Sequence, residues 1–379
     1  MKYIRTYGDY NSWKLDYGNP DRGFRLKPTL YKYSDVGDHI HLELDDPRKH
    51  GDSTYMEIYL DSDTEFSFYI GNAPGDTQTT MTCTIDWGDG IETKTITKDN
   101  YGFKLSHNYR ANSYKIELYD VERNYSIAGY DNMSLISPAN ANFKRAILSE
   151  SVVSIETGAF DSQYHLTSIY IPESVTSIET YAFQGCESLT SINIPKGITT
   201  IEYGVFYSCS SLNSIHIPES VTSIGSVAFK YCTSLTSIHI PESVTSIGDS
   251  AFNSCSSLTS IHIPNSVNSI GSSMFGGCSS LTSIDIPESV TSIEHNAFEE
   301  CSSLTSIDIP ESVTSIGENA FDGCLLTHIS SLNTIAPTIG NNVFANLPTN
   351  GTLHIKPGAT GYDAWLSALP SGWTIVEDL

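Results

Sequence analysis

No stretch of this 379-residue chain approaches the ~18 consecutive apolar residues that a membrane-spanning helix needs, so membrane insertion is not expected. The start, Met1-Lys2-Tyr3-Ile4-Arg5-Thr6-Tyr7-Gly8-Asp9, lacks the apolar run of a secretory signal, and no export signal is expected from it. Positive charge is scarce: Lys+Arg 20 stand against Asp+Glu 44, a net charge of −24. Such a surface repels nucleic acid and anionic membranes, so neither is an expected partner. Also absent are Gly-x-Ser-x-Gly, His-Glu-x-x-His, a phosphate-cradling glycine loop and paired Cys-x-x-Cys motifs. The expectation is therefore a protein that is not an enzyme, with no catalytic residue, no cofactor and no metal.

What the chain does have is 39% hydrophobic residues, with Tyr 22 and Phe 14, enough to bury a core and far too much for a disordered polymer. Its charge is unevenly spread. Between residues 151 and 379, 21 acidic residues face only Lys196, Lys230 and Lys356, an asymmetry that suggests at least two domains.

The second part repeats every 23 residues. Phe160, Phe183, Phe206, Phe229, Phe252, Phe275, Phe298, Phe321 and Phe344 share one register. Prolines from Pro172 to Pro310 hold another, and Cys186, Cys209, Cys232, Cys255, Cys278, Cys301 and Cys324 a third. Nine coils are thus visible, and a pattern of this kind serves stacking rather than catalysis. Within one unit, Ile261 and Ile263 alternate with Ser260 and His262, the period of a half-buried strand that Pro264 then ends. Val267 and Ile270 begin a second extended run, Gly271 is read as permitting a turn, and Met274, Phe275 and Cys278 have the spacing of one helical turn. One coil cannot bury these side chains; stacked coils can.

The unit Ser-Ile-x-Ile-Pro-Glu-Ser-Val-Thr-Ser-Ile-Gly-x-x-Ala-Phe-x-x-Cys-x-Ser-Leu, as in residues 237–258, closely resembles the BspA-like leucine-rich repeats of bacterial surface proteins, some protists and phages. The resemblance implies a solenoid over residues 143–356, with a closing cap at 357–379 where Tyr362, Ala364, Trp365, Ala368 and Leu369 suggest a short helix and Trp373-Thr-Ile-Val a last strand. Upstream, Trp87-Gly88-Asp89-Gly90 follows a strand pattern, with His107-Asn108-Tyr109 and alternating residues 113–118 beyond. This resembles the polycystic-kidney-disease (PKD) domain, an immunoglobulin-like module, over residues 54–122. The resemblance gives Trp87, Asp89, Gly90 and Tyr109 structural roles. Residues 123–142 read as a linker or amino-terminal cap, and the Tyr-rich residues 1–53 as a docking segment of no assigned fold. The fold class expected is mainly β: an immunoglobulin-like β-sandwich followed by a leucine-rich-repeat solenoid.

The candidate binding feature is a row on the exposed face of the first strand: Tyr170, Asn193, His216, His239, His262, Asp285 and Asp308. Stacking at ~4.8 Å would place three imidazoles in line with two carboxylates. A straight row does not wrap a tetrahedral ion, so a partner-binding stripe is preferred to a metal site, and a merely solvated face explains it most simply. His39, His41 and Glu43 read as an alternating strand before they read as a metal half-site. Phe252 and Cys255 represent the structural core, the cysteines reading as buried free thiols that suit a reducing compartment. Glu173, Glu219, Glu242, Glu288 and Glu311 read as a solubilising acidic edge.

Architecture and resemblance together imply a non-enzymatic recognition and structural protein. The first expectation is a phage virion component, a head or tail fibre or decoration protein made in the host cytoplasm. Its amino-terminal region would contact other virion proteins and its solenoid a bacterial surface protein or glycan, with a homo-oligomer in keeping with fibre symmetry. The alternative is a bacterial cell-surface or secreted adhesin of the same repeat family, binding a host protein or glycan.

Overall fold

The computed structural model describes residues 146–148 and 152–379 in full, and segments between 54 and 147 as backbone strands. Trp87, Asp89 and Gly90, the pair His39 and His41, and the whole segment 1–53 lie outside the described residues, and Tyr109 is described only as part of a strand.

Seven strands precede the repeats: β1 (Thr54–Leu60), β2 (Thr64–Asn72), β3 (Thr80–Asp86), β4 (Ile91–Thr97), β5 (Phe103–Tyr109), β6 (Asn112–Tyr119) and β7 (Tyr125–Ile127). The solenoid begins with β8 (Ala141–Ile147), β9 (Val152–Ile155), β10 (Ser168–Tyr170) and β11 (Ser177–Ile178). One sheet runs β10-β8-β1-β6-β3-β4 and the other β11-β9-β7-β2-β5. In each sheet the pairing changes sense at the first coil. β8 is parallel to β10 but antiparallel to β1, and β9 is parallel to β7, which is itself antiparallel to β2. The open strand edges of the first coil are thereby paired, which removes a template for aggregation. The segment read as a linker contributes to this closure through β7 and the start of β8.

Each coil has three sides. The first is the Ser-Ile-x strand, continued at Ser191–Asn193, Ser214–His216, Ser306–Ile309, His328–Ser331, Thr352–Ile355 and Thr374–Glu377. In between, the ladder thins to single bridges at His239, His262 and Asp285. The second side is a two-residue Ser-Ile or Thr-Ile strand, paired in parallel from coil to coil, as Ser223–Ile224 with Ser246–Ile247. The third side carries the phenylalanine. The spacing of Met274, Phe275 and Cys278 predicts a helical turn, but the chain there runs through consecutive tight turns. Residues two before and two after the phenylalanine take left-handed φ values, such as Ser250 (56°) and Ser254 (60°) around Phe252. Those turns aim amides along the solenoid axis, so Phe229 N–H donates to Ala251 O at 2.8 Å and Phe298 N–H to Ala320 O at 2.8 Å. A helix would have satisfied the same groups within its own coil.

The glycine that follows the second strand also has a different reason from the one expected. It is not left-handed; it lets coils approach. A Cβ on Gly248 would stand 2.3 Å from the Ser226 amide nitrogen, and one on Gly317 2.5 Å from that of His295.

The core is continuous. Nine phenylalanines stack with ring centroids 5.2–6.2 Å apart and nearly parallel planes, and Trp365 closes the stack 5.3 Å from Phe344. Trp365 marks a further turn, giving about ten in all; the nine counted from sequence missed it because the last turn keeps the position but not the repeat. The helix α1 (Asp363–Ala368) holds Trp365, whose indole N–H donates to Pro337 O at 3.0 Å. Tyr362 donates to Ser331 Oγ at 2.7 Å beneath it, and Thr374–Glu377 adds the last strand. A terminal coil needs such a lid because its inner face has no further neighbour.

Candidate functional site

The candidate row lies on the first strand ladder, where inward isoleucines alternate with outward positions. Ile215, Ile238 and Ile261 are buried, whereas His216, His239 and His262 are exposed. Asn193 stands beside His216, His216 beside His239, and His262 beside Asp285. Asp285 and Asp308 are exposed, and Tyr170 and Asn193 half-buried. The ladder thus brings the seven positions onto one face, though not to one purpose. The Asn193 amide donates to Ile171 O at 2.7 Å and accepts from Ile171 N–H at 3.2 Å, so it clamps the preceding coil. His262 Nε2 is 2.8 Å from Glu242 Oε1, and this hydrogen bond holds the Glu242 carboxyl below the usual carboxylate range. Glu242 also accepts from the backbone N–H of Asn265 at 3.3 Å. The acidic edge therefore meets the imidazole row at one point in the middle of the solenoid.

The row continues beyond Asp308 through Ser330, His354 and Val376. His354 Nδ1 lies 2.8 Å from Asp378 Oδ1. The loss of one residue after Cys324 hides this continuation from a fixed 23-residue count. Among the described residues, no group of three or more His, Cys, Asp or Glu is placed to hold a metal ion. A shallow depression of about 270 Å³ lies near the carboxyl end, lined by Thr327, His328, Asn350, Gly351, Thr352 and Gly372. It has no carboxylate or thiol in its walls, and His328 Nδ1 is hydrogen-bonded to the Thr327 hydroxyl at 2.9 Å.

Phe252 and Cys255 are both fully buried. Cys255 is one of seven buried free cysteines among the described residues, and each thiol donates to the carbonyl of the phenylalanine in the coil before, at 3.1–3.2 Å. That carbonyl also accepts an amide from its own coil, as Phe229 O does from Cys232 N–H at 3.1 Å, so the thiol uses its second lone pair. Burial pushes the thiols up, Cys278 and Cys324 to about 12. A thiol held protonated in the core is a packing group and a poor nucleophile.

Among the described residues no helix is long and apolar enough to cross a membrane. No curated protein matches the sequence. Among solved structures, a leucine-rich repeat protein from Bacteroides ovatus is similar at 26% identity and a TM-score of 0.52, over 62% of this chain and 72% of that one. A leucine-rich repeat protein from T. pallidum shares 28% identity over 49% of this chain and 83% of that one, with a TM-score of 0.39. A leucine-rich cell surface protein from Faecalibacterium prausnitzii shares 22% over 56% and 91%, with a TM-score of 0.27. The model of the BspA type leucine rich repeat region matches residues 139–232 and 222–350. That span is more than half of the sequence and coincides with the stacked coils, and the chain belongs to the BspA-type leucine-rich repeat family.

Proposed function

We propose that this chain is a non-enzymatic recognition protein and a structural component of a phage particle, a head or tail fibre or decoration protein. Its amino-terminal region docks on other virion proteins, and its solenoid meets a bacterial surface protein or glycan. The observation that carries the recognition reading is the exposed row from His216 to Asp308, displayed on a ladder whose inner face is fully packed. A rigid strand face offers a partner prearranged contacts at little entropic cost. The antiparallel pairings among β1 to β6 support an immunoglobulin-like module of PKD type as the spacer before the coils. Seven thiols serving as hydrogen-bond donors suit synthesis in a reducing compartment, as for a virion protein made in the host cytoplasm.

Two experiments test the reading. Gradient fractionation of a producing culture, followed by mass spectrometry, should find this chain banding with virus particles. Recovery in the cell envelope would replace the virion role by that of a bacterial surface adhesin. Replacing His216, His239 and His262 together by serine should leave thermal unfolding unchanged and weaken attachment of the protein to host cells about tenfold. Unaltered attachment would return the row to a solvated strand face.

A further inference from the structure

The turn side of the early coils carries a group of tyrosines that the repeat does not require. Later coils hold serine, asparagine, glycine, aspartate or glutamate at most of the corresponding positions, while Tyr181, Tyr203, Tyr207 and Tyr231 sit at four different offsets from their phenylalanines. Stacking brings them together. Tyr181 and Tyr203 meet with ring centroids 5.2 Å apart and planes at 88°, and Tyr207 and Tyr231 at 5.5 Å and 88°. Tyr203 and Tyr231 are 44% and 40% exposed. Burial, with the Tyr203 hydrogen bond second, pushes the Tyr181 phenol up to about 12.

The rings are held where they are. A Cβ on Gly204 would stand 2.5 Å from Tyr181 Cε1, so the Tyr181 ring fills the space that any side chain at 204 would need. Tyr181 (φ 59°) and Tyr231 (φ 64°) also occupy left-handed positions, which favour glycine or asparagine.

The geometry selects the ligand chemistry. Two perpendicular rings form a corner, in which a cation rests on one face with the other ring as a wall. A sugar chain would instead need coplanar faces to lie across both rings. The Tyr207–Tyr231 corner already has its cation, because Lys230 Nζ lies 5.2 Å from the Tyr231 ring centre. Glu179 lies two residues before Tyr181 and Glu202 one before Tyr203, and Glu179 adds its like charge to the burial that pushes Glu202 up. Lys356 is paired elsewhere, with Glu311 at 3.0 Å. We propose that the Tyr181–Tyr203 corner, with Glu179 and Glu202, is a docking pocket for a lysine or arginine side chain on a basic segment of a partner protein. The 21 acidic residues of 151–379 supply the matching long-range attraction. This pocket stands independently of the strand row.

The test titrates the full chain with a synthetic Arg-Ser alternating peptide by calorimetry at about 0.15 M salt, where exposed charges beyond ~8 Å are screened. The peptide should bind, Tyr203→Ser should weaken it about tenfold, and Tyr203→Phe should preserve it, since the ring and not the hydroxyl meets the cation. The pair Glu179→Gln with Glu202→Gln should weaken binding far more than Asp285→Asn with Asp308→Asn, which removes the same charge from the strand row. Equal losses from the two pairs, an unaffected Tyr203→Ser variant, or no binding by the parent would overturn the proposal. So would binding of maltohexaose that depends on Tyr203. Unchanged thermal unfolding of Tyr203→Ser keeps a loss of fold distinguishable from a loss of binding.

Discussion

Replacing Gly197 by serine should stabilise the protein. Six coils place a serine two residues after the strand-ending proline; Ser312 Oγ is buried without a hydrogen-bond partner among the described residues, and in the other five coils the residue is Ser174, Ser220, Ser243, Ser266 or Ser289. Its hydroxyl donates to a carbonyl 22 residues earlier, of Val152, Ile198, Val221, Val244 and Val267 respectively. Four of these bonds measure 2.6–2.7 Å. Gly197 occupies that register with its φ outside the left-handed region, and a Cβ there would stand 3.5 Å from Val175 O and 3.6 Å from Thr176 Cγ2, ordinary contact distances. The space and the acceptor are therefore both in place. A net hydrogen bond contributes about 0.5–1.5 kcal/mol, and removing a glycine from the unfolded ensemble a further ~0.4–1 kcal/mol. The expected gain is about 1–2 kcal/mol, seen as a higher urea midpoint at unchanged slope. Hydrogen exchange should slow in peptides covering 175–198. Ser243→Gly should lose a similar amount. If Ser243→Gly is costly while Gly197→Ser is neutral or harmful, the idea that Val175 O stands ready to accept this bond is refuted.

Phe252→Ala should cost about 3–5 kcal/mol, because it empties a fully buried site between rings 5.5 and 5.8 Å away; denaturant unfolding measures it. Val227 is a β-branched residue at φ 53°, so Val227→Asn should raise stability by ~1 kcal/mol, read as an increase in thermal midpoint. Stability should also fall steeply in alkali. Burial raises the folded thiols above their ordinary value of 9.0, so the folded state binds more protons than the unfolded one above that pH. Each buried thiol then removes ~1.4 kcal/mol per pH unit as pH rises from 9 towards the folded value, and urea midpoints between pH 8 and 10.5 should show the onset near 9.

The 23-residue register was legible because apolar side chains must repeat whenever coils share one core. The turn geometry was not. Phenylalanine and cysteine three residues apart fit a helical turn as well as consecutive left-handed turns. The distinguishing signal, Gly204, Asn296, Asn319 and Asn342 in one column, is diluted there by Tyr181 and Val227. Alternation set the strand-face row opposite the inward isoleucines, yet could not show that the Asn193 amide is taken up by Ile171 or that Glu242 reaches His262 in the next coil. The tyrosine corner escaped for a related reason. Its partners are 22 and 24 residues apart, one off the repeat on either side, so no aligned column contains them.

The laddered side-chain donors of the coils face one way. The threonine, serine and cysteine ladders each reach back to a carbonyl of the coil before, as Thr245 does to Thr222, Ser243 to Val221 and Cys255 to Phe229. Any interior coil therefore offers its successor the same acceptors that it takes from its predecessor. Recombination between near-identical repeats can then add or delete a whole coil without orphaning these donors, whereas a change of any other length strands several at once. Reach becomes an evolvable quantity, adjustable in steps of ~4.8 Å, while the two closing ends remain untouched.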